Sequence, residues 1–327
     1  HSGPSIGSPT PPSASTNRAS TRTLPARAMG EVAQGPCGES GDPAECSLAA
    51  EPRSLKYRPA SEALGPAFEL RLPSSERWRR HRPGPLLLTC EHASCLLPPG
   101  YSWGGDAWLQ RTHWAVDLGI RDFCLELQEA LACPAILARY TRLLCDCNRS
   151  LEGPAARQGD PGLSDAMATY RTTPFLQRAE GKGVELNAGL DSEEAERRLA
   201  SIWRPYHNAL AGLVDESPED TFLISLHSFT RQFEQNPPRT VEVGIMCDPA
   251  RDLLPGELAA VLLALLKDAG VDARVNDPYS LGGEDACAME ADGRRSIAVE
   301  LRQDLLEGNA EWRATVMACI VQSVGGT

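Results

Sequence analysis

Residues 88–95 read LTCEHASC. They close an apolar run, Pro85–Cys90, that has the length and boundaries of a buried strand. Glu91 and His92 then stand where the chain leaves the core. A carboxylate and an imidazole side by side at the end of a buried strand need a reason, because burying either one costs free energy unless it is paired.

Working outward, Trp114–Ala132 carries Trp114, Leu118, Phe123, Leu127 and Leu131 at helical spacing, which predicts a helix. Ala135–Tyr140 reads as a strand leading into Leu143-Leu144-Cys145, and residues 150–190, rich in Gly, Pro and Ser, as a long loop. Acids at Asp191–Glu194 open a helix that runs past Trp203 to about Val214, with a kink expected at Pro205. Thr221–Leu226, Val241–Met246, Val271–Val275 and Ser296–Leu301 read as strands. Pro255–Ala269, with Pro255 in its first turn, and Ala310–Ser323 read as helices. This alternation predicts an α/β fold, a single-domain mixed sheet with helices on both faces, over residues 66–327.

Residues 1–65 differ. Their first half is rich in Ser, Thr, Pro and Ala, with Arg and no acid before Glu31, so a disordered extension is expected. The same composition fits an organelle transit peptide. The 327-residue chain has a formal net charge of −12, which argues against nucleic acid and anionic membrane surfaces as partners. No apolar run approaches the length of a membrane span. The 11 cysteines are odd in number and scattered, several in apolar runs, so a reducing, intracellular setting is expected rather than a disulfide framework.

Polar residues recur at strand ends: Glu91-His92, then Arg142 to Arg149, then Ser225-Leu226-His227-Ser228, then Glu300, Arg302 and Asp304 at period two, which would share one face. In open α/β sheets the ligand crevice lies beyond the carboxyl ends of the strands. Two imidazoles delivered there suit zinc, whose catalytic sites have three protein ligands. His92 and His227 supply two, and the third is a carboxylate, Asp117 or Glu91, or else His113. A nucleophilic Cys90 or Cys95, both flanking His92, and a pocket that binds without turnover are the competing readings.

CEHAS (90–94), HWAVDLG (113–119), YTRLLCDCNRS (140–150), RPYHNAL (204–210), SLHSFT (225–230), NDPYS (276–280) and VELRQDLL (299–306) occur in this order. Together they resemble the N-formylglutamate amidohydrolase family. The resemblance implies a carboxypeptidase-like zinc hydrolase fold, one Zn2+ per chain, and hydrolysis of N-formyl-L-glutamate to formate and glutamate, a reaction of histidine degradation. It implies that His92, His227 and Asp117 hold the metal and that Asn148 and Arg149 grip a substrate carboxylate. It also implies that Glu300 is the general base; Glu91, read from its place beside His92, is a second catalytic candidate, a ligand or the orienter of one. Arg142, Arg302 and Tyr279 complete the substrate-binding set for a small anionic N-acyl amino acid. Two departures stand out: many family branches carry Pro at the position of Glu91, and Gly282–Arg295 lacks the His common there.

Overall fold

A computed structural model of the chain describes residues 66–73, 86–149, 151, 174–279 and 294–325. The expected N-terminal extension, most of the 150–190 loop and residues 282–293 lie outside them. The described strands are β1 (Phe68–Arg71), β2 (Leu86–Cys90), β3 (Ala135–Ala138), the small hairpin β4 (Arg178–Ala179) and β5 (Lys182–Gly183), then β6 (Phe222–Phe229), β7 (Val243–Met246), β8 (Ala273–Val275) and β9 (Arg295–Arg302). The helices are α1 (Ile120–Leu131), α2 (Ser192–Arg198), α3 (Arg204–Glu216), α4 (Pro249–Asp252), α5 (Leu258–Asp268), α6 (Gln303–Gly308) and α7 (Ala310–Gly325).

The main sheet runs β1-β3-β2-β6-β9-β7-β8. β3, β2, β6 and β9 are parallel, while β1 and β7 are antiparallel to their neighbours β3 and β9. It is a mixed α/β sheet with helices on both faces. Strand alternation sorts its side chains. Leu86, Leu88, Cys90, Ile224, Leu226, Val299 and Leu301 pack on one face with α1, α5 and α7. Leu87, Ile136 and Leu223 pack on the other with Tyr206 and Leu210 of α3 and with Leu143 and Leu144. Both faces are covered, so β2 and β3 are buried at every position and read as continuous apolar runs. On the second face, Leu87 is followed by Thr89 and Glu91, Leu223 by Ser225 and His227, and Ala298 by Glu300. The apolar floor therefore turns polar toward the carboxyl ends.

Several expected boundaries move. The helix expected from Trp114 begins at Ile120, after Gly119 at φ 77°. The helical spacing misleads because Trp114 and Phe123 belong to opposite cores. At the place of the kink expected from Pro205 the helix has a π-helical turn, Leu199–Trp203, and Pro205 lies in the first turn of α3, where its missing N–H costs least. Pro255 lies ahead of α5, which starts at Leu258, and it is Pro249 that opens a helix, capped by the Asp248 side chain. Asp304 is not on the last strand: β9 ends at Arg302 and Asp304 sits in the first turn of α6, where a helix favours an acid. β1, a polar edge strand, carries too little pattern to be seen in advance. Every described cysteine is a free thiol. Among the described residues no helix is long and apolar enough to cross a membrane.

Arg198 ties the second face together. It is 2% exposed. Its guanidinium donates to Glu194 (2.8 Å), to Asn187 Oδ1 (2.6 Å) and to the carbonyls of Leu186 (2.7 Å) and Leu144 (3.2 Å). These bonds hold the Leu143–Leu144 segment that leads into Asp146. Arg198→Met should strand those acceptors and cost about 3–5 kcal/mol, the range for breaking a buried ion pair. Urea unfolding measures it; a midpoint shift worth less than about 1 kcal/mol would show that the network relaxes without it.

Candidate active site

His92 leaves β2 and is buried, and its carbonyl accepts the Asp117 N–H (3.1 Å), which pins the turn before α1 against the strand end. His227 does not follow its strand, as expected, but lies inside β6, opposite Glu300 of β9 in register. The Nδ1 atoms of His92 and His227 are 3.1 Å apart. Asp117 Oδ2 lies 3.1 Å from the His227 nitrogen and 3.4 Å from the His92 nitrogen. In a tetrahedral zinc site with bonds of about 2.0–2.2 Å, ligand atoms sit about 3.3 Å apart. The triangle therefore fits that ion. Of the three residues open as a third ligand, Asp117 shares the triangle; Glu91 and His113 do not.

The outward nitrogens are also held. His92 Nε2 lies 2.8 Å from Asp146 Oδ1, and Arg142 bridges Asp117 (3.2 Å) and Asp146 (3.3 Å). His227 Nε2 faces Ser225 Oγ (2.9 Å) and Glu91 Oε2 (3.2 Å). Glu91 itself accepts the Tyr206 hydroxyl (2.7 Å) and the Ser225 hydroxyl (3.0 Å). Asn148 lies 3.4 Å from His227 Nε2. Arg149 donates to the Asn148 carbonyl (2.7 Å) and its charge reaches Asp146.

Buried negative charge dominates. Burial pushes the Asp117 carboxyl up, but the charge of His92, the hydrogen bonds of both imidazoles and Arg142 outweigh it and hold the group below the usual carboxylate range. Burial opposes a proton on His227, yet Asp117, Glu91 and Glu300 together hold it well above the ordinary histidine range. The cluster thus attracts a cation to the triangle. Burial lifts Glu300 to about 7 against the pull of His227 and with the help of Asp117. Its Oε2 is buried and, among the described residues, accepts no hydrogen bond.

Other expected residues lie differently. Arg302 engages Asp304 (2.9 Å) and the Thr240 carbonyl (3.0 Å). His113 packs on Trp114, and burial with the nearby Arg142 charge brings it down to about 4. Cys90 faces the opposite core, and burial pushes its thiol well above the ordinary value, which removes it as a nucleophile. Tyr279 accepts from Arg239 (3.0 Å), and after burial the charge of Glu300 is the largest influence raising its phenol. Asp146, Tyr206, Ser225 and Arg239 carry parts of this network without having been given a role of their own from the sequence. An acid between two buried cysteines, Cys145 and Cys147, was the available signal for Asp146.

Fold and site define a class: a mixed α/β protein whose sheet end holds a cluster able to bind a metal beside a buried carboxylate, one oxygen of which accepts no hydrogen bond among the described residues. The sequence model of the family N-formylglutamate amidohydrolase matches residues 84–307. The chain belongs to that family and is, at that level, a hydrolase of amides. Among solved structures it is similar to the gene product Atu2144 from Agrobacterium tumefaciens, at 25% identity over 80% of this chain and 94% of that one, with a TM-score of 0.62. It shares its fold with the N-formylglutamate amidohydrolase from Ralstonia eutropha JMP134, at 21% identity over 80% and 96%, with a TM-score of 0.56. No curated protein matches the chain.

Gly244 of β7 pairs with Glu300 in register, and a Cβ there would fall on the Asp277 carbonyl oxygen. The missing side chain lets the Asn276–Tyr279 segment lie close over the strand. Gly244→Ala should push that segment away and cost about 1–3 kcal/mol, as overpacking does. Chemical denaturation reads the change, and an unmoved midpoint would mean that the segment yields freely.

Proposed function

We propose that the chain is a zinc-dependent amidohydrolase. Its reaction cleaves N-formyl-L-glutamate, or a closely related N-acyl amino acid, to the acid and the free amino acid. The observation that carries this reading is the His92–Asp117–His227 triangle beside the unpartnered Glu300 oxygen. The family supports the reaction type. His92, Asp117 and His227 would hold one zinc per chain, with Asp146 and Glu91 behind the two rings fixing which nitrogen faces inward. Zinc bound there would polarise the scissile carbonyl and make water more acidic.

The remaining work falls to the chain's own groups. Glu300, its carboxyl lifted toward 7, takes the proton of the attacking water and delivers it to the departing nitrogen. Asn148 and Arg149 receive the substrate's α-carboxylate, in keeping with the Asn-Arg pair of the resemblance. Arg142, anchored to Asp117 and Asp146, keeps a fixed positive charge beside the reacting carbonyl.

Purified protein should carry about one equivalent of zinc, and His92→Ala or His227→Ala should lose both metal and turnover while keeping the wild-type circular dichroism. Elemental analysis decides it, and stoichiometric zinc in both variants would remove the triangle as the metal site.

Glu300→Gln should keep the metal and lower the single-turnover rate on N-formyl-L-glutamate by at least about 10²-fold. Wild-type turnover in this variant would move the proton to another group. A panel of N-formyl and N-acetyl amino acids, scored for released amine, identifies the substrate.

A further inference from the structure

We propose that Arg239, with the Tyr279 hydroxyl, is the anchor for the side-chain carboxylate of a dicarboxylic N-acyl amino acid. The inference rests on the amidohydrolase reading and adds its specificity determinant.

Arg239 follows β6 and is half-buried. One nitrogen, Nη1, donates to the Thr230 carbonyl (3.1 Å) and to the Tyr279 oxygen (3.0 Å). The guanidinium lies over the rings of Tyr279 (4.9 Å), Phe233 (5.3 Å) and Phe229 (5.7 Å). Aromatic rings on several sides attract and orient the guanidinium plane. Among the described residues no carboxylate pairs with Arg239, and none accepts from its Nε or Nη2. The other guanidiniums nearby are engaged: Arg142 with Asp117 and Asp146, and Arg302 with Asp304. Arg239 is a half-buried cation with part of its fork open, in a chain whose acids outnumber its Lys and Arg by 44 to 32.

Its position suits the role. Phe229 lies two residues, about 7 Å of strand, beyond His227 on the same face of β6, and its ring is 5.7 Å from the Arg239 guanidinium. Tyr279 connects it to Glu300, whose charge reaches the phenol. In this proposal a carbonyl held at the triangle leaves the substrate side chain to meet Arg239 and Tyr279. Arg pairs with a carboxylate through two parallel hydrogen bonds, and a neutral amide cannot replace that contact.

The test compares N-formyl-L-glutamate with N-formyl-L-glutamine in wild type, Arg239→Met and Arg239→Lys, with melting temperature recorded beside kcat/KM. Wild type should prefer the glutamate compound. Arg239→Met should lower its kcat/KM by about 10- to 150-fold, the worth of one ionic hydrogen bond, and spare the glutamine compound. Arg239→Lys should recover part of the loss. A folded Arg239→Met with an unchanged glutamate-to-glutamine ratio overturns the proposal. If Arg239→Met does not fold, Arg239→Lys carries the comparison, and an unchanged ratio there overturns it. Hydrolysis of neither compound by wild type would instead refute the N-formyl substrate and leave the anchor to a binding measurement. Calorimetric binding of glutarate then decides the anchor alone: binding that the Arg239 variant weakens supports it, and equal binding, or none to wild type, overturns it.

Discussion

Asp117 is the buried charge around which the carboxyl ends of the sheet are organised. Its Oδ2 meets both imidazoles and the Ser228 N–H (3.0 Å), and its Oδ1 meets Arg142. A carboxylate sealed from water costs several kcal/mol unless compensated. Each compensating group comes from a separate stretch of chain: the turn after β2, the segment after β3, and β6 itself. Satisfying Asp117 therefore fixes those stretches relative to one another, and the site's geometry and the fold's local stability become one problem.

The outward sides of the two imidazoles follow the same rule. Asp146 stands behind His92, and Glu91 with Ser225 behind His227. A carboxylate behind a ring selects the tautomer and holds the plane, so the Nδ1 atoms face each other with little rotational freedom. These supports need supports in turn. Tyr206 reaches Glu91 from α3, a helix set in place by the π-helical turn before Pro205. Arg198 on α2 holds the Leu144 carbonyl two residues before Asp146.

The sheet makes this concentration of charge tolerable. On one face apolar side chains continue to the strand ends, so α1, α5 and α7 pack a dry core there. On the other face the same strands turn polar near their ends, where the helical cover gives way to the network of Glu91, His92 and His227. Glu300 joins that face through its register with His227 on one side and Gly244 on the other.

Much of this was legible in the sequence. Continuous apolar runs mark strands buried on both faces, so β2, β3 and β6 and the α/β class were readable from residues 86–90, 135–138 and 222–226. His92, His227 and Glu300 could be singled out because polar residues at the ends of apolar runs demand an explanation, and Asp117 because it lies in the HWAVDLG motif. Tertiary structure alone decided which of them meet. Helical spacing placed Trp114 and Phe123 on one helix, because periodicity cannot tell that they face different cores. Period two joined Asp304 to Glu300, because a strand's end is set by the turn that follows it. Asp146, Tyr206 and Arg239 were invisible as site residues because the contacts that tie them to the site span 40 or more residues, as in His92–Asp146, Tyr206–Glu91 and Arg239–Tyr279. Local pattern records which face a residue occupies and how it prefers to fold; long-range hydrogen bonds and charge compensation exist only once the sheet has brought those segments together.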